Sequence, residues 1–540
     1  MTGGYERFIQ QGLNNEWIAP WLQKAGYKTY YTGKLMNDHT KGNYDKPFPG
    51  GLDGNDFLVG PGMSDRHAHL TLHLPYTYRA LTSTPSILLE LGCAGGPNSL
   101  TVVYTGTYSY LNPLFQHNRD PPQRIAKYAT DVLAEKSNTF IREGARSAKP
   151  FFIMIATVAP HSTGDTGRDD EGEDSDSGSP EADDSDNDSV GGEQHAPIPA
   201  ARHKDLFPNV QVPRKPNFNP EEPSGASWVR AQKRRGEGVE RKWDNYHRRR
   251  LQALQAVDDL VKGTIETLRK EGVLDNTFIV YSTDNGFHIG QHRLQPGKRC
   301  PYEESINIPL VIRGPGVPAG KKEDAVSSHV DLVPTILGWA GAKMPGDLDG
   351  QALVTGGGVG GGGRAGQEHT QVEHWGIGER PTQDNKYKHP NSTYKAVRVI
   401  GDGYNLYYSL WCSDEHELYD MIKDPYQMKN VYGGDGRGGG GDGGPTFDIG
   451  PGGRRVTLKQ LEDRLDTLLL VLKDCKGDTC RQPWKALHPR GGVSSLREAL
   501  KEEYDQFYGR KQKRVKFQEC TPGYLPAKEG GVGFEVYGGM

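Results

Sequence analysis

No apolar run in this chain of 540 residues is long enough to cross a bilayer as a helix, which takes about 20 residues. No signal peptide, with its basic start and short apolar stretch, opens the sequence, so composition alone leaves the compartment undecided. Nucleic-acid recognition motifs are missing, as is the aromatic interleaving that accompanies basic residues in strand-binding proteins. No Asp-x-Asp-x-Asp-Gly loop with a distal glutamate is present, which sets aside an EF-hand type of calcium site. Apolar side chains make up only 34% of the chain while glycines number 71, so part of it is not packed domain.

Charge locates that part. Between Gly164 and Glu193 stand 13 acidic residues against one basic, Arg168, leaving 64 basic and 56 acidic elsewhere. The formal net of −4 therefore combines a basic body with one acidic insert. A run of Asp, Glu, Ser and Gly with almost no apolar residue cannot offset its ordering entropy, so 164–193 is expected to be a disordered loop. Gly356 to Gly363 and Gly433 to Gly444 read as flexible linkers, loop expansions on one fold. The stretch from Met63 to Gly106 has neither helical nor strand period, and its removal joins Gly62 to Thr107 in a smooth continuation. It reads as a retained intron, with a loop insertion as the alternative. Among six cysteines, Cys475 and Cys480 are close enough to bridge, whereas Cys93, Cys300, Cys412 and Cys520 have no deducible connectivity. Asn391-Ser392-Thr393 and Asn187-Asp188-Ser189 are glycosylation sequons that matter only in a secreted protein.

The order of elements predicts an α/β fold. Asn15 to Ala25 is a helix candidate closed by Gly26, followed by a strand from Tyr27 to Tyr31 that runs into Thr32-Gly33-Lys34. Phe151 to Ala156 is an apolar run of strand length ending near Ala159-Pro160-His161. Leu251, Leu254, Val257, Val261, Ile265 and Leu268 recur at three- and four-residue steps and form one helix face. Thr277 to Tyr281 reads as a buried strand running into Ser282-Thr283-Asp284-Asn285-Gly286. Helix followed by apolar strand is the rhythm of a mainly parallel sheet covered on both faces. Later, Tyr394 to Ile400 and Tyr404 to Trp411 flank Gly401-Asp402-Gly403 as a hairpin, and Leu458 to Leu472 has helical period.

Ligands of such sheets bind beyond the carboxyl ends of the strands, and Lys34, His161, Asp284 and Asn285 each follow a predicted strand. Asp284 and Asn285 offer adjacent hard oxygens, suited to calcium or magnesium. Lys34, His161 and Lys298 could surround an anionic group and stabilise charge on it or on a leaving alcohol. These types together fit hydrolysis of an anionic ester, although any one of them alone would read as an ordinary surface residue.

The blocks Gly26-Tyr27-Lys28-Thr29-Tyr30-Tyr31-Thr32-Gly33-Lys34-Leu35, Ala159-Pro160-His161-Ser162, Ser282 to Leu294, Gly297-Lys298, Ile308 to Gly316, Ser328 to Thr335 and His416-Glu417-Leu418-Tyr419-Asp420 carry a resemblance. In this order they resemble the sulfatases of the alkaline-phosphatase-like superfamily, above all fungal arylsulfatases and N-acetylglucosamine-6-sulfatases. The resemblance implies a mainly parallel sheet between helices with a small C-terminal antiparallel sheet plus helix. It also implies calcium-dependent hydrolysis of sulfate esters by a formylglycine made from a cysteine in a Cys-x-Pro-Ser-Arg motif. On it, Asp284 and Asn285 correspond to calcium ligands, His161 and Lys298 to sulfate binding and leaving-group protonation, Lys34 to sulfate contact, and His288 to the substrate pocket. The implied organisation is a catalytic domain over 1–350, a Gly-rich linker region over 351–390, a C-terminal subdomain over 391–500 and a tail over 501–540. A secreted, cell-wall or vacuolar location and a sulfated small molecule or glycan as partner also follow from it.

The chain departs from the family at one place. Neither Cys300-Pro301-Tyr302 nor Cys412-Ser413-Asp414 matches the nucleophile motif, and Ser83-Thr84-Pro85-Ser86 is followed by Ile87. The nucleophile, the paired aspartates for calcium and a central strand are therefore expected upstream of Met1, and the chain as it stands is expected to bind rather than turn over. Rival readings are a phosphodiesterase or phosphonate hydrolase of the same superfamily and a non-catalytic binder of sulfated glycans. Arg230, Lys233 to Arg235, Arg241, Lys242 and Arg248 to Arg250 form a basic stretch that reads as a solvated helix face, with a sulfated glycan as a more natural contact than nucleic acid.

Overall fold

The structure is a computed structural model that describes residues 4–60, 108–163, 196–353, 367–376, 392–433, 445–450, 454–520, 529–530 and 533–538. The stretch 63–106, the acidic insert 164–193, the linker 356–363, the linker 433–444 beyond Gly433, and both sequon asparagines lie outside the described residues. No helix among the described residues is long and apolar enough to cross a membrane.

Helices α1 (Gly4–Gln10) and α2 (Ile18–Lys24) lead into β1 (Lys28–Gly33), followed by β2 (Gly54–Leu58), β3 (Leu114–His117), β4 (Gln123–Arg124), α3 (Ala129–Ala145) and β5 (Phe151–Ala156). The sheet order is β4-β3-β2-β1-β5. Strand β1 runs parallel to both neighbours, with Tyr30 opposite Gly54 on one side and Ile153 on the other, while β3 and β4 add an antiparallel margin. The core is thus a parallel sheet of the expected α/β type. Its inner strands are sealed: Tyr30, Tyr31, Phe57 and Leu58 are buried, and α3 contributes the buried Val132, Leu133, Phe140 and Ile141.

The next elements are α4 (Ser227–Arg230), α5 (Glu237–Lys270), β6 (Ile279–Ser282), α6 (Glu303–Ile306), β7 (Leu310–Arg313) and α7 (Leu332–Trp339). At 34 residues, α5 is about 51 Å long, and its buried stripe includes Ala253, Ala256, Val257 and Leu260. Here the structure corrects a sequence expectation. Strand β6 is neither buried nor part of the parallel sheet; it pairs only with β7, antiparallel, in a separate two-stranded sheet. Tyr281 is 39% exposed, Val311 58% and Met154 of β5 44%. The cause is lateral. β5 is an edge strand, and among the described residues no backbone hydrogen bond joins it to β6. Yet Phe151 and Ile153 of β5, Ile265 of α5 and Ile279 of β6 pack around one apolar cluster. α7 closes the opposite side, with Trp339 stacked on Phe278 at 4.1 Å and its helix against α2. The two sheets are covered by common helices but do not meet edge to edge.

The C-terminal part is closed. Strands β8 (His369–His374), β9 (Tyr394–Gly401), β10 (Tyr404–Trp411) and β11 (His416–Asp420) form an antiparallel sheet in the order β11-β10-β9-β8. The hairpin β9–β10 turns at Gly401-Asp402-Gly403 as the sequence indicates, with Tyr404 opposite Gly401. A short ladder of β12 (Thr446–Ile449) and β13 (Arg454–Thr457) precedes α8 (Leu458–Leu472). Thr457 and Gln460 cap α8 reciprocally, satisfying donors that a helix start leaves free. Strand β8 lies inside the stretch read as linker, and Tyr504, Phe507, Tyr508, Val515 and Phe517 of the stretch read as tail are core residues. Behind the sheet, Glu417 is fully buried and accepts hydrogen bonds from Trp411 Nε1 (2.8 Å), Tyr419 Oη (2.8 Å), Tyr302 Oη (3.2 Å) and Ser409 Oγ (3.3 Å). Tyr302 comes from the segment before α6, so this carboxyl fastens the two halves together. Cys475–Cys480 forms the expected bridge, Cys412 pairs with Cys520, and Cys300 is buried.

Candidate active site

Lys34 follows β1 directly. Gly33 makes this possible, because a Cβ there would stand 1.9 Å from the Ala156 carbonyl oxygen and its φ is +101°, a conformation glycine adopts without steric penalty. The Lys34 amide donates to the Ala156 carbonyl (3.1 Å) and its own carbonyl accepts from Tyr31 Oη (2.8 Å), fixing the backbone at the joint of β1 and β5. The ammonium donates to Tyr108 Oη at 2.5 Å. The Tyr108 ring in turn stacks on His161, with centroids 4.1 Å apart and planes 16° from parallel.

His161 is held by its own turn: its amide donates to the Val158 carbonyl (2.8 Å), and its carbonyl accepts from Tyr110 Oη (2.6 Å). Nδ1 lies 2.8 Å from the Ser162 carbonyl oxygen, which can only accept, so Nδ1 carries the proton and Nε2 of the neutral ring keeps its lone pair. Burial pushes the imidazole down to about 4, the Lys298 and Lys34 charges acting in the same sense and the Ser162 bond and Asp284 opposing. Lys34 is likewise pushed down to about 8 by burial, against the pull of Asp284 and Asp38. Lys298 is lowered by burial too, again opposed by Asp284. Its ammonium lies 4.0 Å from Asp284 Oδ2.

Asp284 and Asn285 sit in the turn after β6. Gly286 permits its tight fold, since a Cβ there would lie 2.1 Å from the Glu304 carbonyl oxygen. The Asn285 side-chain amide donates to the Gly286 carbonyl (2.8 Å), and the Asp284 carboxylate is 80% exposed. The structure therefore gathers Lys34, His161, Lys298 and Asp284 into one electrostatic cluster with Asn285 beside it. His288 is the exception. It is completely buried, with Nδ1 2.9 Å from Ser305 Oγ and its backbone bridged to Gly297, so it supports the loop from within instead of lining a pocket.

A calcium ion takes six to eight oxygen ligands. Asp284 and Asn285 supply one carboxylate and one amide oxygen, and among the described residues no group of three or more His, Cys, Asp or Glu could hold a metal. The described residues do not by themselves fit the ion. Nor is a cysteine nucleophile placed at the cluster among the described residues: Cys300 is packed with Ala226, Tyr302 and Trp411, and Cys412 is in a disulfide.

Three participants escaped the sequence reading. Tyr108 and Tyr110 lie just past the aperiodic stretch 63–106, with no local pattern to single them out. Arg250 is the last member of the basic run read as a solvated helix face. Arg241, Lys242 and Arg249 are exposed as expected, but Arg250 turns inward, donating to the Pro160 carbonyl (3.0 Å) with its guanidinium 4.0 Å above the Phe287 ring.

Lys34 and His161 follow the parallel strands β1 and β5, and the loop beyond the antiparallel β6 brings Asp284 and Lys298 to them. The family model described as Sulfatase matches residues 1–342, and the one described as N-sulphoglucosamine sulphohydrolase, C-terminal, matches residues 290–437. The chain belongs to the sulfatase family, a family of sulfuric ester hydrolases. It is 36% identical over 412 residues to Sulfatase ppz1 of Metarhizium majus (strain ARSEF 297), covering 76% of this chain and 81% of that protein. It is 30% identical over 541 residues to an arylsulfatase of Volvox carteri, covering 96% of this chain and 71% of the relative. The solved structure of BT4656 in complex with its substrate D-glucosamine-2-N,6-O-disulfate superimposes with a TM-score of 0.53 at 22% identity, covering 77% of each chain. That likeness shows a shared alkaline-phosphatase-like fold.

Proposed function

We propose that this chain binds the sulfate group of a sulfated sugar or aryl sulfate between Lys34 and Lys298, with His161 Nε2 directed at the ester oxygen. The observation that carries the reading is the cluster itself: among the described residues, two desolvated lysines and a neutral imidazole are opposed only by the solvent-exposed carboxylates of Asp284 and, at Lys34, Asp38. Such a site has positive potential to spare for an anion. Each lysine would donate to sulfate oxygens as a point charge. A bound sulfate raises the basicity of His161, since a nearby negative charge favours the imidazolium, and so readies it to hand a proton to a leaving alcohol. The relatives' names support a sulfate ester over a phosphate ester, and the glucosamine disulfate bound by BT4656 supports a sulfated amino sugar. Two disulfides fit an oxidising compartment.

Turnover additionally requires a nucleophile, and the reading is therefore of a sulfate-ester site that binds without hydrolysing. Calorimetric titration with propyl sulfate and propyl phosphate, beside turnover assays on p-nitrophenyl sulfate and p-nitrophenyl phosphate, tests it. The expected result is selective binding of propyl sulfate, lost in Lys298→Met, with no turnover of either ester. Hydrolysis of p-nitrophenyl sulfate would overturn the non-catalytic part, and preference for the phosphate compounds would favour a phosphodiesterase or phosphonate hydrolase.

A further inference from the structure

We propose that Arg250 and Tyr246 form a second anion-binding subsite beside the Lys34–Lys298 cluster, so that the preferred ligand carries two anionic groups. The inference rests on the sulfate-ester reading for the first group and extends it to a second.

Arg250 is clamped between the two loops that carry the candidate site. One guanidinium N–H reaches the Pro160 carbonyl, next to His161, and the plane lies over Phe287, which follows the Asp284 turn. Arginine usually enters such a partly buried setting with a carboxylate partner, yet among the described residues no ion pair to Arg250 is formed. Lys34, His161 and Lys298 all feel Asp284, with Asp38 acting on Lys34 as well, and Arg250 answers to Tyr246, Tyr110 and Asp284. Tyr246 stands beside Arg250. Its side chain is only 4% exposed, and its hydroxyl, within reach of Arg250 and Ser162, forms no hydrogen bond of full geometry among the described residues, so this buried donor is only weakly satisfied without a further acceptor. Its ring is parallel to Phe287, 6.0 Å between centroids, so phenol and guanidinium share one aromatic platform. A planar fork and a hydroxyl donor suit a carboxylate or sulfate.

The test compares affinity for 1,3-propanediol bis-sulfate with that for propyl sulfate, measured by calorimetry at constant ionic strength on the full chain. The wild type is expected to favour the bis-sulfate by about tenfold, a typical step for one additional charge-assisted contact. Arg250→Met should bring the ratio to about one, and Arg250→Lys should restore only part of it, because lysine lacks the fork. Tyr246→Phe keeps the ring on Phe287 and should lower the ratio severalfold, so the proposal stays testable even if Arg250→Met fails to fold by circular dichroism. A ratio unchanged in Tyr246→Phe and Arg250→Lys overturns the proposal, as does a wild-type ratio of one. Bis-sulfate binding that depends on Arg250 without any binding of propyl sulfate would sink the sulfate reading of the first cluster and keep the second subsite. Binding of neither probe would overturn both.

Discussion

Two regions of this molecule end up covered to different degrees, and the one with the more polar strands is the better buried. In the C-terminal sheet, β9, β10 and β11 have a neighbour on each side or a covering core, and Tyr407, Tyr408, Leu410, Trp411, Leu418 and Tyr419 are all buried. In the middle of the chain, β5 reads Phe-Phe-Ile-Met-Ile-Ala without one fully buried residue, and β6 and β7 are as open. The open strand β5 is the more apolar, so lateral pairing and not hydrophobicity makes the difference. A strand's burial depends on what lies beside it as much as on its own side chains, and β5 ends the described sheet.

The sharpest way to break that comparison is to truncate one side chain in each region. Leu465→Ala in α8, where the side chain is fully buried, should cost about 3 kcal/mol, whereas Val311→Ala in β7 should cost less than about 0.5 kcal/mol. Urea unfolding followed by tryptophan fluorescence measures both. Equal losses would mean that β7 is covered in solution. Hydrogen exchange sharpens the same contrast along the backbone. Amides of β9 and β10 should exchange slower than the outward amides of β5 by on the order of a thousandfold, and mass spectrometry of peptic fragments resolves the two.

Sequence pattern alone located β1, β5, the β9–β10 hairpin and α8, because a two- or 3.6-residue period is a local property. It also put Lys34, His161, Asp284 and Asn285 past predicted strand ends, whereas Lys298 came from its charge and from the family resemblance; the structure brings Lys298 to Asp284. The openness of β6 was illegible for the opposite reason: its apolar run is that of a buried strand, and only the missing lateral partner leaves it exposed. Arg250 was hidden by its company, three consecutive arginines whose inward member is decided by the rotation of a 34-residue helix. The burial of His288 against Ser305 is a tertiary fact that no local pattern shows. Glu417 stood inside a recognised block, but nothing in the block shows that four donors converge on it.

Smaller effects concern the site at the open end of the sheet. Lys34 loses its charge as pH rises through about 8, so affinity for sulfate should fall progressively above that pH. His161 is neutral above about 4 in the free site; since bound sulfate raises its basicity, affinity should rise as pH falls from 7 toward 5. Calorimetric titrations from pH 5 to 10 check the sign, and an affinity that rises with pH would exclude Lys34 as the binding cation. The smallest effect expected is that of calcium. With one carboxylate and one amide on offer, millimolar calcium should shift the melting temperature by less than about 1 °C, because only a ligand that prefers the folded state stabilises it. A larger shift would reveal oxygen donors beyond Asp284 and Asn285.

The Cys412–Cys520 bond reaches further than its local packing. It fastens the end of the β10 hairpin to a segment 108 residues later, a span for which loop entropy alone suggests about 4.7 kcal/mol of restraint on the unfolded chain. It works as a buckle: one backbone cut between its ends cannot release a fragment while the sulfurs stay joined, so the closed half of the molecule tolerates nicking that its amide bonds alone would not survive.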